Sequence, residues 1–352
     1  MPTLLAKILH RTLKALMLSV TMLAASAVIL SAAGTAQASS QSNANGPASP
    51  TGSRAVNAGT GHVPRPSHND TPHGMLPALR GKRGTTGNAT PYGGDGNFPY
   101  YMYNQQNGAV QTDARVYLIY WGDWSTDTHG VMTRLYNFYR GIGGSTWGNV
   151  MTQYQQGCTP QTWTCTGAHA GNPTAPFKSW SKDTTTVPST PTAAQINAEA
   201  LRMAINVFHD YSYNAQYVVA LPPGHGDTQF TNGTACAWHD YAYIPGSTSW
   251  ITVTAMPYQP DKPSCYMNLA NTGSAGYLDG VTIVAGHEYA ETITDPGLNA
   301  WYDAVTKPLW ENGDKCAGYA ANMTFPTGTF AMQPTWSNYY RYYHGWGCVY
   351  SA

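Results

Sequence analysis

Charge is scarce in this sequence. Only 10% of the 352 residues are Asp, Glu, Lys or Arg, and the 18 basic side chains balance the 18 acidic ones. A chain with no net field has nothing to draw in nucleic acid or an anionic membrane, so neither is an expected partner. Glutamate is rarer than any other charged residue type, confined to Glu199, Glu288, Glu291 and Glu311. No G-x-S-x-G elbow, Walker loop or G-x-G-x-x-G occurs, which argues against a lipase-type serine hydrolase and against nucleotide cofactors. What the chain has in quantity is Gly (36), Tyr (25) and Trp (11). Aromatic, hydroxyl and amide groups of this kind accompany exported, carbohydrate-contacting and wall-contacting proteins.

The N-terminus supports export. Lys7, Arg11 and Lys14 precede an apolar run from Ala15 to Ala33, and Ala36 and Ala38 form a small-x-small site. Residues 1–38 are therefore expected to be a signal peptide cleaved after Ala38. An uncleaved membrane anchor is the competing reading, because the run is near bilayer-spanning length. The expected location is extracellular, with the periplasm as the alternative. Six cysteines in an exported chain read as three disulfides, and pairing in sequence order, Cys158–Cys165, Cys236–Cys265 and Cys316–Cys348, closes the shortest loops. Without C-x-x-C spacing, a thiolate metal site is disfavoured. Residues 39–97, rich in Ser, Asn, Gly, Pro and Thr without apolar periodicity, read as a flexible linker or pro-segment. Its "RGKR" at 80–83 is either a protease site or a solvated charge cluster.

Beyond residue 98 the texture changes. "ARVYLIYWGDW" (114–124), "AQYVVAL" (215–221) and "SWITVTAM" (249–256) predict strands, and the apolar spacing of 133–142 and 192–208 predicts helices. Their alternation predicts an α/β domain over 98–352, with α+β as the alternative: one globular unit with a mixed central sheet and flanking helices. A further helix is expected at about 280–294, N-capped by Asp279 and ended by Asp295-Pro296-Gly297. Its first half is nearly all apolar, so the helix should be buried and deliver its polar residues to the interior.

Those polar residues are the H-E-x-x-E of "GHEYAETITDP". His287 and Glu291, at i and i+4, share one helical face and are close enough to hold one cation. Glu288 is rotated from them, placed to act as general base on a water that the cation acidifies. The logic is that of H-E-x-x-H zinc hydrolases, with glutamate replacing the second histidine. Glu311, in "WENGDKC", is expected as the third ligand at a spacing like that of the downstream glutamate of gluzincin peptidases. Asp314 is the expected acceptor for the imidazole N–H of His287, or a further ligand. Asp295 and Asp303 are alternative ligands, although Asp295 before Pro296 suits a helix stop. Zn²⁺ is the expected ion, with Mn²⁺ or Ca²⁺ as alternatives. The competing reading makes Glu288 and Glu291 helix-surface charges, His287 a core histidine, and Glu311 and Asp314 turn residues. His239 in "CAWHDY" and His225 in "PPGHGDT" are further candidates, as oxyanion stabilisers or metal ligands, against a reading as ordinary loop histidines.

The stretch "CAWHDY…VTIVAGHEYAETITDPGLNAWYD…ENGDKCAG" resembles the EXORDIUM, or phosphate-induced protein, family of plant extracellular proteins and its bacterial relatives. The shared features are a Cys-x-x-His motif, the H-E-x-x-E helix, an Asn-Pro or Asp-Pro stop followed by "NAWY", and an acidic "GD-x-C" loop. Cys236, His239, His287, Glu288, Glu291, Glu311, Asp314 and Cys316 match that pattern. Asp295 does not, since plant members carry asparagine there. The resemblance implies export to a wall or apoplast setting and leaves the activity open. The expected function is a secreted metal-dependent hydrolase, a monomeric peptidase acting on peptide or protein. One alternative is a non-catalytic wall protein whose aromatic surface stacks on glycan. Another is a glycosidase using Glu288 or Glu291 with Asp314.

Overall fold

The computed structural model describes residues 75–77, 92–94, 100–305 and 310–352, all within one compact unit, Thr60–Ala352. The expected signal peptide and the basic "RGKR" lie outside the described residues. Two short strands arise within the segment read as a linker, β1 (Met75–Pro77) and β2 (Tyr92–Gly94). Next come β3 (Tyr103–Asn104), β4 (Arg115–Trp121), helix α1 (Val131–Gly141) and β5 (Phe177–Asp183). Helix α2 (Ala193–Met203), β6 (Ala215–Ala220), β7 (Ala235–Tyr243) and β8 (Trp250–Met256) follow. Helix α3 (Asp279–Thr294) then leads to β9 (Trp301–Tyr302) and the hairpin β10 (Ala321–Phe325) and β11 (Gly328–Met332). The chain closes with β12 (Thr335–Trp336), α4 (Asn338–His344) and β13 (Cys348–Val349).

The central sheet has the order β1-β7-β8-β6-β4-β5. Its β5, β4, β6 and β8 run parallel, while β7 pairs antiparallel with β8 and β1 antiparallel with β7. The α/β expectation with a mixed sheet and flanking helices is met. Both faces are covered, which is why the strands read as continuous apolar runs. Val116, Leu118 and Tyr120 of β4 pack with α1 and α3, whereas Tyr117, Ile119 and Trp121 pack with α2, the period-two alternation of a strand. Each fully buried Leu, Val or Phe in these layers contributes about 1.5–3 kcal/mol.

Helix α2 starts as its sequence dictates: Thr192 caps the amide of Gln195 and the Gln195 side chain answers on Thr192, a capping box. Helix α3 starts differently. Its N-cap is Leu278, and the Asp279 carboxylate instead accepts from the amides of Ala270 and Asn271 and from the Asn271 side chain. Asp279 thus anchors the preceding loop and does not cap its own helix. The other end matches expectation, since Asp295 is the C-cap and Oδ1 accepts from the amides of Asn299 and Ala300 at 2.7 and 2.6 Å.

All 16 residues of α3 are buried. The helix is wedged between the sheet and an outer layer of α1 and the β10–β11 hairpin. Thr282 donates to the Ala331 carbonyl, and a Cβ at Gly286 would lie 2.7 Å from Met332 Cε, so a methyl there would displace the end of the Met332 side chain that packs on the helix. The three disulfides pair in sequence order. Among the described residues no helix is long and apolar enough to cross a membrane.

Candidate metal centre

Three segments converge. Helix α3 supplies His287, Glu288 and Glu291; the loop after β9 supplies Glu311 and Asp314; strand β7 supplies His239. Strand alternation explains the last of these. Asp240 turns toward α2, where Asn197 donates to it at 2.8 Å, so His239 turns to the opposite face, toward α3. His239 is therefore a buried strand residue and not a loop histidine.

His287, Glu288, Glu291 and His239 are fully buried, and Glu311 and Asp314 are 4% exposed. His287 Nε2 lies 2.9 Å from Glu291 Oε1 and 3.5 Å from Asp314 Oδ1. His239 Nδ1 lies 3.4 Å from Glu288 Oε2 and 3.6 Å from Glu291 Oε2, and its Nε2 lies 3.6 Å from Glu311 Oε1. These contacts lack hydrogen-bond alignment or length. His239 Nδ1, His287 Nε2, both Glu288 oxygens, Glu291 Oε2 and Glu311 Oε1 have no hydrogen-bond partner. Two ligand atoms about 2.0–2.1 Å from one ion at a tetrahedral angle are separated by about 3.4 Å, so most of these spacings suit shared coordination better than direct bonding. Two groups, His239–Glu291–Glu311 and His287–Glu288–Glu291, each offer three ligand atoms within 4.8 Å of one another. Buried atoms of this kind without partners are costly, and a divalent ion would satisfy them.

Electrostatics ranks the carboxylates. Burial pushes every one of them up, but His287 and His239 outweigh it at Glu291 and hold that carboxyl down at about 2. Glu288 is pushed up by burial to about 7, with His239 and His287 restraining the rise. Glu311 and Asp314 are driven well above the usual carboxylate range, by burial first and by neighbouring carboxylates second. Burial would lower both imidazoles, yet the surrounding carboxylates overcome it. His287 rises to about 9 and His239 well above its ordinary value.

The shell around the centre differs from expectation at His287. Asp314 faces the same ring nitrogen as Glu291, and it is Gln333 Oε1 that meets Nδ1, at 3.3 Å. Gln333 also donates to the Gly313 carbonyl at 2.8 Å, tying the Asp314 loop to the ring. Gly313 lies against that ring: a Cβ there would be 2.5 Å from His287 Nδ1. His239 Nε2 meets the Asp295 carbonyl at 3.3 Å, which turns Nδ1 toward Glu288 and Glu291, while Glu311 lies on the Nε2 side. Asp303 pairs with buried Lys315 at 2.9 Å, and Asp295 is engaged by two amides, so neither is needed as a ligand. His225 folds back on the Pro223 carbonyl, and Glu199 pairs with Arg202 on α2. Neither of these belongs to the centre. Gln333 gave no sequence signal, being one amide between β11 and β12.

Both the strand and the loop that meet α3 at the centre are stapled. Cys236 on β7 bonds Cys265, and Cys316, close after Asp314, bonds Cys348. Trp301, next in sequence to the Ala300 amide held by Asp295, helps line a cleft of about 480 Å³ with Tyr154, Trp163, Tyr339 and Tyr342. Comparisons with models of known families, with curated proteins and with solved structures found no match.

Proposed function

We propose that this chain is a metal-dependent hydrolase of the peptidase type, exported and related to the EXORDIUM family by its motifs. The observation that carries the reading is the buried meeting of two imidazoles with four carboxylates, in which His239 Nδ1, His287 Nε2, both Glu288 oxygens, Glu291 Oε2 and Glu311 Oε1 have no hydrogen-bond partner. His287, Glu291, Glu311 and Asp314, with His239, would hold the ion, and zinc suits the imidazole donors. When bound, a divalent cation polarises the scissile carbonyl and acidifies water.

The residues of the chain do the rest. Glu288, with both oxygens unengaged beside the ligands, is placed to take a proton and return it to the leaving amine. The Asp295 carbonyl and Gln333 hold the two imidazoles in orientation. The residues of the centre with any exposure, Glu311 and Asp314, share one loop, the side of the centre nearest solvent. Glu288→Gln tests the reading directly. Hydrolysis of denatured casein should fall by about 10²–10⁴-fold with metal content unchanged; an undiminished rate removes the catalytic assignment.

The cleft beside Trp301 supports a second reading, glycan binding at a wall. Trp163, Tyr342 and Tyr343 are 41%, 63% and 63% exposed, and aromatic faces of this kind stack on sugar rings. Retention on insoluble polysaccharide that survives chelation and is lost in Trp163→Ala supports this reading, and loss on chelation opposes it.

A further inference from the structure

We propose that the cleft lined by Tyr154, Trp163, Trp301, Tyr339, Tyr342 and Tyr343 binds an uncharged, proline-rich segment of a partner polypeptide in its extended polyproline II form. The site is that of the second reading with a different class of ligand, and the metal-centre reading stands or falls apart from it.

The rings of the cleft form notches and no flat platform. Tyr342 meets Trp163 at 79° and Tyr343 at 80°, with ring centroids 6.3 and 4.9 Å apart. A sugar ring lies flat on one aromatic face, whereas prolyl rings wedge into an aromatic-lined groove. The notches are held in advance. Trp163 stacks on Tyr103 at 5.7 Å, meets Tyr101 edge to face at 4.7 Å, and donates its indole N–H to the Met102 carbonyl at 3.0 Å. It also sits inside the loop closed by Cys158–Cys165. A fixed groove that meets a chain already stiff as polyproline II loses little conformational freedom on binding.

Hydrogen bonding separates the two ligand classes. A sugar brings several hydroxyls that each lose water on binding and need replacement partners. The cleft has few to give. Gln153 spends both ends of its amide on Val150, Ser337 and Tyr339, and Asn338 is engaged by Met102 and Trp336. The Trp301 indole N–H is taken by the Gln155 carbonyl. What the cleft still offers are chiefly the phenol hydroxyls of Tyr342 and Tyr343, each 63% exposed. A prolyl residue has no N–H and presents one carbonyl acceptor, which a phenol O–H matches. Charge points the same way. Among the described residues that line the cleft none is Asp, Glu, Lys or Arg, so its complement is a neutral segment.

The experiment titrates the purified full chain with a decaproline peptide by isothermal calorimetry, beside a Gly/Ser peptide of equal length and cellohexaose. Saturable binding of decaproline alone, indifferent to salt and to chelation, is the expected result. Tyr342→Ala, at an exposed position, should weaken it at least about tenfold, the loss expected of an aromatic anchor, with circular dichroism unchanged. No binding of decaproline, or binding that survives in both Tyr342→Ala and Trp163→Ala, overturns the proposal. Binding of cellohexaose in its place assigns the cleft to glycan and overturns it equally. A concentration-dependent dimer that Tyr342→Ala dissolves, without peptide binding, overturns it in favour of a second copy of the chain.

Discussion

Glu291 stands between two imidazoles, with His287 2.9 Å from one of its oxygens and His239 3.6 Å from the other. No other side chain of the centre touches both rings, and the two histidines hold its carboxyl the lowest of the group. Glu291→Gln keeps the shape and removes the charge. Divalent-metal affinity, read by competition with a chromophoric chelator, should fall by more than the roughly 10–100-fold that loss of an outer-shell partner costs. Wild-type affinity in this variant would show that no ion uses Glu291.

Gln333 supports the second ring nitrogen of His287 and clamps the Gly313 carbonyl. Gln333→Leu should weaken metal binding by about 10–100-fold without unfolding the chain, as followed by near-ultraviolet circular dichroism. Gln333→Glu, which keeps an acceptor for the imidazole N–H, should recover part of the loss. Equal losses in both variants would mean that the side chain acts on the loop and not on the ring.

Gly313 has an ordinary helical backbone, φ −74°, so its need for glycine is spatial. A methyl there meets the His287 ring at 2.5 Å. Gly313→Ala should cost about 1–3 kcal/mol, the usual range for overpacking, seen as a lowered urea midpoint. Metal affinity should fall with it, because the ring must move to make room.

The H-E-x-x-E helix was legible because glutamate is so rare here that three of the four converge, and because i and i+4 spacing survives any tertiary context. The helix stop at Asp295 was legible for the same local reason. His239 read as a loop residue because "CAWHDY" mixes polar and aromatic groups. Only the pairing of β7 with β8 makes its alternation visible. Asp279 looked like an N-cap locally, but the amides of Ala270 and Asn271 compete for the same carboxylate. Gln333 was unreadable, since its partner lies far away in sequence and an isolated amide carries no spacing.

Outside the centre, Glu199 is 4% exposed on α2 and is bound by Arg202. Burial, resisted by Arg202, raises its carboxyl to about 7. The folded state therefore keeps a proton that the unfolded chain releases above about 4.3. The stabilisation is complete below that value and is lost as pH rises through about 7. Glu199→Gln should flatten this part of the stability profile, measured by urea denaturation from pH 4.5 to 8 with metal saturating. An identical slope in the variant and the parent would assign the effect to another group.

Strand β7 carries His239 and would form a rim of the sheet but for β1, whose residues Met75–Pro77 pair with Ala235–Trp238. Open rims of this kind invite other chains to add themselves strand by strand. Versions of the protein trimmed to begin at the main domain would bare that border just beside the histidine. The strand at 75–77 thus serves as a built-in guard against self-association, and it sets where an expression boundary can be drawn.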